Sequence, residues 1–173
     1  MTSPMPPLAC TVREATPADA DAMARVEAGA RLLLEGQGAA VDGLALPDGF
    51  GEDTAWDLAM VALVGPAVVG MARCTALSTE LLCLDQVSVL PAWSRRGIGS
   101  RLLLATCEAA RRRGFLAVTG TTFADVVFNG PLYRRLGAVE DPEPHPVMLR
   151  RRAVERELGL DDVGRRIIMR LTL

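Results

Sequence analysis

The residues best suited to chemistry lie in one stretch, Val87-Ser88-Val89-Leu90-Pro91-Ala92-Trp93-Ser94-Arg95-Arg96-Gly97-Ile98-Gly99-Ser100-Arg101-Leu102. An apolar strand stops at a proline, a basic turn follows, and two glycines open an amphipathic segment. Glycine lets a backbone approach a ligand and adopt angles that other residues resist. The first N–H groups of a helix have no partner inside it and sit at the positive end of its dipole. Together these features make an anion site suited to a phosphate or diphosphate. Arg95, Arg96 and Arg101 would add charge-assisted bonds. The competing reading is a helix cap with ordinary surface arginines.

Two familiar phosphate sites are excluded. A dinucleotide fingerprint needs Gly or Ala at the last place of G-x-G-x-x-G/A, and Leu102 stands there. A Walker A loop needs lysine, and all 19 basic residues are arginine. The same absence removes a lysine Schiff base. The second constellation is Asn129 and Tyr133, four residues apart and so on one face of a helix. Tyr133 is the single tyrosine of the chain.

With these residues in place, the sequence resembles the GNAT superfamily of acyl-CoA-dependent N-acyltransferases. That family carries a strand, often a proline, then Q/R-x-x-G-x-G/A opening a helix. Here the stretch reads Ser94-Arg95-Arg96-Gly97-Ile98-Gly99, with serine in the first place and the backbone cradle kept. The segment TTFADVVFNGPLYRRLGA (121–138) is similar to the family's strand and helix that carry an asparagine and a tyrosine, and the tail ending RRIIMRLTL fits as well. The likeness spans residues 10–173. It is strongest over 84–138 and faint over 18–55.

The resemblance implies acetyl-CoA as cosubstrate, no metal, and transfer of the acetyl group to a primary amine by direct attack in a ternary complex. It implies that Arg95, Arg96, Gly97, Ile98, Gly99, Ser100 and Arg101 cradle the diphosphate. The strand of Val87, Ser88 and Val89 would align the acyl arm, with the Val87 and Val89 amides holding the pantetheine and the acetyl oxygen. Asn129 would contact the cosubstrate or cap its helix. Tyr133 would protonate the leaving thiolate, since a phenol near 10 is protonated at neutral pH; a core tyrosine is the alternative. Many relatives use a carboxylate on the fourth strand as base, often through water, and Asp85 lies there; a strand aspartate bonded to backbone is the alternative. Glu80 is a second carboxylate. His145, in Glu143-Pro144-His145-Pro146, is the lone imidazole and reads as a loop residue that can border the substrate mouth. A non-catalytic acyl-CoA-binding sensor or assembly module on the same fold is the rival function; a plain nucleotide-binding module is a third.

The elements that must position these groups follow from pattern. Residues 1–9, with three prolines, read as a flexible N-terminus, and 10–173 as one domain. CTVREAT (10–16) reads as a strand. Thr16-Pro17 then starts a helix with Ala22, Val26 and Ala30 at helical spacing, and RLLLE (31–35) reads as a second short helix. Residues 36–55 read as a long loop of the kind that binds or covers ligands. LAMVALV (58–64) and AVVGMARC (67–74), joined by Gly65-Pro66, form a hairpin. LLCLDQVSVL (81–90) is the next strand.

Gly99 to Arg113 is the clearest helix, with Ile98, Leu102, Ala105 and Ala109 in one stripe and Gly114 closing it. LAVTGTT (116–122) is a strand, Asn129 to Leu136 a short helix, 140–146 a loop, Val147 to Leu158 a helix, and 165–173 a final strand. Alternating strands and helices with one hairpin give an α/β (α+β) class. The resemblance refines this to a mixed, mostly antiparallel sheet of about seven strands, with strands 4 and 5 splayed to admit the pantetheine arm.

Composition sets the outer limits. The formal charge of −2 lacks the basic excess that nucleic-acid binding needs. Arg150-Arg151-Arg152 with Arg156 reads as a solvated helix face. No apolar run is long enough to span a membrane. The four cysteines (Cys10, Cys74, Cys83, Cys107) and one histidine lack zinc-ligand spacing, and Cys107 reads as a small core residue. The opening MTSPMPPLAC, with no basic residue followed by an apolar stretch, does not read as a secretory signal. The expectation is a reduced, cytoplasmic protein from a GC-rich, bacterial genome. Its partner is a small-molecule or peptide amine, with neither nucleic acid nor membrane, and a homodimer is left open. The acids Glu35, Asp42, Asp48, Glu52, Asp53 and Asp57 would favour a cationic acceptor.

Overall fold

A computed structural model describes residues 9–35, 56–126 and 129–173, with the side chains of 31–35 left aside. The proposed ligand-covering loop of 36–55 lies outside these residues. Among the described residues seven strands form one sheet, in the order β1-β2-β3-β4-β5-β7-β6. They are β1 (Cys10–Glu14), β2 (Leu58–Val64), β3 (Ala67–Ala76), β4 (Leu81–Val89), β5 (Ala117–Phe123), β6 (Val139–Glu140) and β7 (Arg166–Thr172). Every neighbouring pair is antiparallel except β4 and β5. Among the described residues five helices accompany them: α1 (Ala20–Glu35), α2 (Ile98–Arg112), α3 (Gly130–Arg135), α4 (Pro146–Glu157) and α5 (Leu160–Val163). Single 3-10 turns at Pro17–Asp19 and Pro91–Trp93 precede α1 and α2.

Strand alternation divides the core between two faces. Leu58, Met60, Leu82, Leu84 and Val118 point to the face covered by α2, where Ile98, Leu102 and Leu103 meet them. The intervening Ala59 and Val61 meet Met23 and Val26 of α1 on the other face. Cys83 and Ile168 meet Met148 of α4 on that same second face. α2 approaches closely because β3 carries Gly70, where a Cβ would stand 3.1 Å from Leu102 and 3.2 Å from Ile98.

Three expectations change. RLLLE continues α1 instead of forming its own helix, since nothing at Ala30-Arg31 breaks the backbone pattern. The stretch 140–146 begins with the short strand β6, whose two exposed residues carry no hydrophobic alternation. α5, one turn long, was not visible in the pattern. The Thr16 start is present as a 3-10 turn: Asp19 accepts the Thr16 N–H at 2.8 Å and both Arg13 Nη atoms, at 2.8 and 2.9 Å.

Candidate active site

The glycine turn is open. Gly97 is the N-cap of α2 in the left-handed region (φ 77°), and a Cβ at Gly97 or Gly99 would meet nothing within 4 Å. Arg95 also has positive φ, at 60°. Alternating conformations of this kind turn successive N–H groups toward one concavity. Among the described residues, the amides from Arg95 to Ser100 have no backbone acceptor; the first helical bond is Arg101 N–H to the Gly97 carbonyl at 3.1 Å. The arginines divide in role. Arg96 lies over the Trp93 ring at 5.1 Å, which fixes its direction. Arg101 donates to the Cys10 carbonyl on β1 at 3.2 Å, tying the helix to the sheet edge. Arg95 is exposed.

From this turn a gap runs into the sheet. β4 and β5 pair only at Leu81–Cys83 with Ala117–Thr119 and then diverge. Leu90 N–H bonds Val69 on β3 at 2.9 Å. Antiparallel ladder bonds alternate along a strand, so Leu90 and Ser88 face β3 and the Val87 and Val89 amides face the gap. A bulge explains how one strand serves both faces: Arg73 pairs with Gln86 and Cys74 with Leu84, leaving Asp85 as the extra residue. The parity change returns Val87 and Val89 to the α2 face with Leu84. It leaves Ser88 on the α1 face, where it is buried and accepts Gln86 Nε2 at 2.8 Å.

At the apex of the gap lies a cavity of about 470 Å³, its open mouth included. Its walls are Leu84, residues 118–122 of β5, Leu103 and Cys107 of α2, Tyr133 and Leu136 of α3, and Met169 and Leu171 of β7, with Ala138. Tyr133 is half-buried, and its hydroxyl has no hydrogen-bond partner among the described residues. Burial pushes its phenol up to about 12, with Cys74 adding to the shift and Arg166 opposing it. It is therefore a neutral donor throughout the physiological range. Asn129 stands at the N-cap of α3, yet its side chain does not cap; its carbonyl accepts the Tyr133 N–H at 3.1 Å. α3 packs tightly there, since a Cβ on Gly130 would be 2.3 Å from the Ala124 carbonyl oxygen.

Asp85 projects from the bulge onto the opposite face, where both its oxygens are engaged. Arg151 of α4 donates to Oδ1 at 2.7 Å, and Thr75 donates to Oδ2 at 2.7 Å. Arg151 also reaches the Cys83 sulfur at 3.1 Å. Beside this pair, buried Glu155 receives Arg152, Arg166 and the Thr121 hydroxyl, and Arg152 continues to Asp161. The arginines of 150–152 are thus not one solvated face: Arg151 and Arg152 are only 15% and 11% exposed in their side chains and are ion-paired. Sequence reasoning missed Arg151 and Glu155, because helical spacing does not reveal which charges a sheet receives. Glu80 lies at the closed end of β4, next to Leu116 and Ala117, away from the gap. His145 caps α4, accepting the Val147 N–H at Nδ1 at 3.3 Å. Cys107 is a core residue, as expected, and also lines the cavity.

The sequence profile of the GNAT acetyltransferase family matches residues 42–138. No curated protein sequence matches the chain. Among solved structures, the fold is similar to the ribosomal-protein-S18-alanine N-acetyltransferase of Escherichia coli, at 18% identity and a TM-score of 0.64, covering 94% of this chain and 93% of that one. It is also similar to the PaiA N-acetyltransferase of Thermoplasma acidophilum in complex with coenzyme A, at 11% identity and a TM-score of 0.66, covering 95% and 99%. A third is a GNAT family acetyltransferase of Brucella melitensis in complex with acetyl-CoA, at 24% identity and a TM-score of 0.56, covering 76% and 84%. At these identities the structural likeness speaks for the fold.

Proposed function

The chain belongs to the GNAT acetyltransferase family, and from that premise we propose that it transfers an acetyl group from acetyl-CoA to a primary amine within a ternary complex. One observation carries the reading: the amides of the glycine turn lack backbone acceptors, and the strand before it loses its pairing with β5 beyond Cys83, where a cavity lined by Tyr133 begins. The turn amides and Arg95 hold the diphosphate, with Arg96 set in place by Trp93. The Val87 and Val89 amides hold the pantetheine arm and the acetyl oxygen, so donors face the oxygen on which negative charge develops.

The amine nitrogen forms a bond to the carbonyl carbon, and the carbon–sulfur bond breaks with its electron pair going to sulfur. Tyr133 gives the thiolate its phenolic proton. The proton lost by the amine leaves through water toward Asp85, which Arg151 and Thr75 hold still. The four thiols, all free, suit a reducing compartment such as the cytoplasm.

The test is release of free CoA thiol from acetyl-CoA across amine classes, run with wild type and Tyr133→Phe. The reading expects release with at least one amine class and a fall in kcat of about 10²-fold or more for the variant, with little change in KM. Full kcat in Tyr133→Phe at every pH removes the acid assignment. A binding-only module is favoured by one feature, the engagement of both Asp85 oxygens. It predicts acetyl-CoA binding without release for any amine.

A further inference from the structure

We propose that the cavity at the β4–β5 apex is an acyl-chain pocket, so that this chain accepts straight-chain acyl-CoA thioesters of about four to eight carbons and prefers them to acetyl-CoA. The inference rests on the reading above, which places the thioester sulfur at the Tyr133 hydroxyl. No residue from Asp85 to Arg101 lines the cavity. It is therefore separate from the diphosphate turn and from the amide edge of Val87 and Val89. Its α2 wall is Leu103 and Cys107, the latter about 13 Å along the helix from Ile98 at the usual rise per residue. Tyr133 is itself a wall of the cavity, so a thioester whose sulfur lies at that hydroxyl has its acyl substituent beside this space.

The chemistry of the walls selects the occupant. Pantetheine carries two amides that need partners, because a buried unpaired amide is costly. Leu103, Cys107, Leu136 and Leu171 offer none. Of the β5 hydroxyls, Thr119 donates to the Met169 carbonyl at 3.0 Å and Thr121 to Glu155 at 2.6 Å, which leaves Thr122 and Tyr133 as the polar side chains on an otherwise apolar lining. Burial raises the Cys107 thiol, so it stays neutral and behaves as one more apolar wall. A methylene chain is the group that such walls favour. The reaction is unchanged in its balance: the amine nitrogen bonds the acyl carbon, the carbon–sulfur bond breaks, and the products are a longer-chain amide and free CoA.

Calorimetry with free CoA and with acetyl-, butyryl-, hexanoyl- and octanoyl-CoA tests this, joined by CoA release on the most reactive amine. Each buried methylene is worth about fourfold in affinity, so hexanoyl-CoA should bind wild type at least tenfold tighter than acetyl-CoA. Cys107→Phe, which fills the cavity, should lower the hexanoyl-to-acetyl affinity ratio by tenfold or more. Equal or weaker binding of the longer thioesters to wild type overturns the inference, and needs no variant. An equal loss for free CoA and every thioester in Cys107→Phe assigns the cavity to the pantetheine arm and overturns it as well. If acetyl-CoA alone is bound and consumed, the acetyltransferase reading stands while this one falls. If no thioester binds, both fall.

Discussion

Replacing Asp85 or Arg151 singly should destabilise the protein more per charge than replacing both. The Arg151 Nη2 to Asp85 Oδ1 contact is 2.7 Å, and the two side chains are 15% and 12% exposed. With charge centres about 4 Å apart and an effective dielectric near 20, the gross attraction is about 4 kcal/mol. Desolvation of both groups offsets part of that. Losing one partner is different, because it leaves the other charge shielded from water. Asp85→Asn or Arg151→Met should each cost about 3 kcal/mol, a fall in Tm of roughly 6–12 °C for a domain of this size. The double variant should cost about 3 kcal/mol and not about 6, giving a coupling of about 2–3 kcal/mol. Urea unfolding of the four proteins at pH 7 measures this directly. Additive losses, with a coupling below about 0.5 kcal/mol, would refute the pairing and with it the idea that α4 fixes the carboxylate at the bulge.

Tyr133 carries a pH prediction. Its folded pKa is raised from 10 to about 12. The folded state thus favours the neutral phenol, and that stability is complete below pH 10 and lost as pH climbs through 12. The loss approaches about 3 kcal/mol. Tyr133→Phe should flatten this alkaline limb in urea melts taken between pH 9 and 11.5, while its stability at pH 7 stays within about 0.5 kcal/mol because no partner is lost. Asp19 works in the opposite direction. Hydrogen bonds from Arg13 and then from the Thr16 backbone hold its carboxyl well below the usual range, so its contribution is present above about pH 4 and disappears on acidification. Asp19→Asn should cost about 1–2 kcal/mol at pH 7, and that cost should shrink steadily as pH falls from about 4 toward about 2 without vanishing there, read from urea midpoints.

Much of the site was legible because its parts are local. The glycine turn, the proline before it, the stripe on α2 and the Asn129–Gly137 segment each declare themselves within about ten residues. Backbone conformation at Gly97 and helical periodicity are written into neighbouring side chains. The divergence of β4 from β5 came from family resemblance and not from pattern, since a strand edge has no composition of its own. The bulge at Asp85 was invisible for a related reason: LLCLDQVSV is apolar enough on both faces that a parity change leaves no trace. Asp85 was selected by its type and strand, yet its partners Thr75 and Arg151 come from distant elements. Arg151 and Glu155 were hidden within a helix rich in charge, where only packing against β4, β5 and β7 separates paired from solvated residues. Tertiary ion pairs are set by which strands lie beneath a helix, and spacing along the helix does not encode that.

The central claim is that bare amides at the start of α2 grip the diphosphate of an acyl-CoA. Titration calorimetry of acetyl-CoA and of acetyl-pantetheine, which lacks the diphosphate, into wild type and Gly97→Glu tests it most directly. A glutamate there adds negative charge and strain at a left-handed position whose Cβ would point into open space. The account predicts a loss of 10²-fold or more for acetyl-CoA in the variant and equal affinities of the two proteins for acetyl-pantetheine. Acetyl-CoA binding as tightly to Gly97→Glu as to wild type would contradict it.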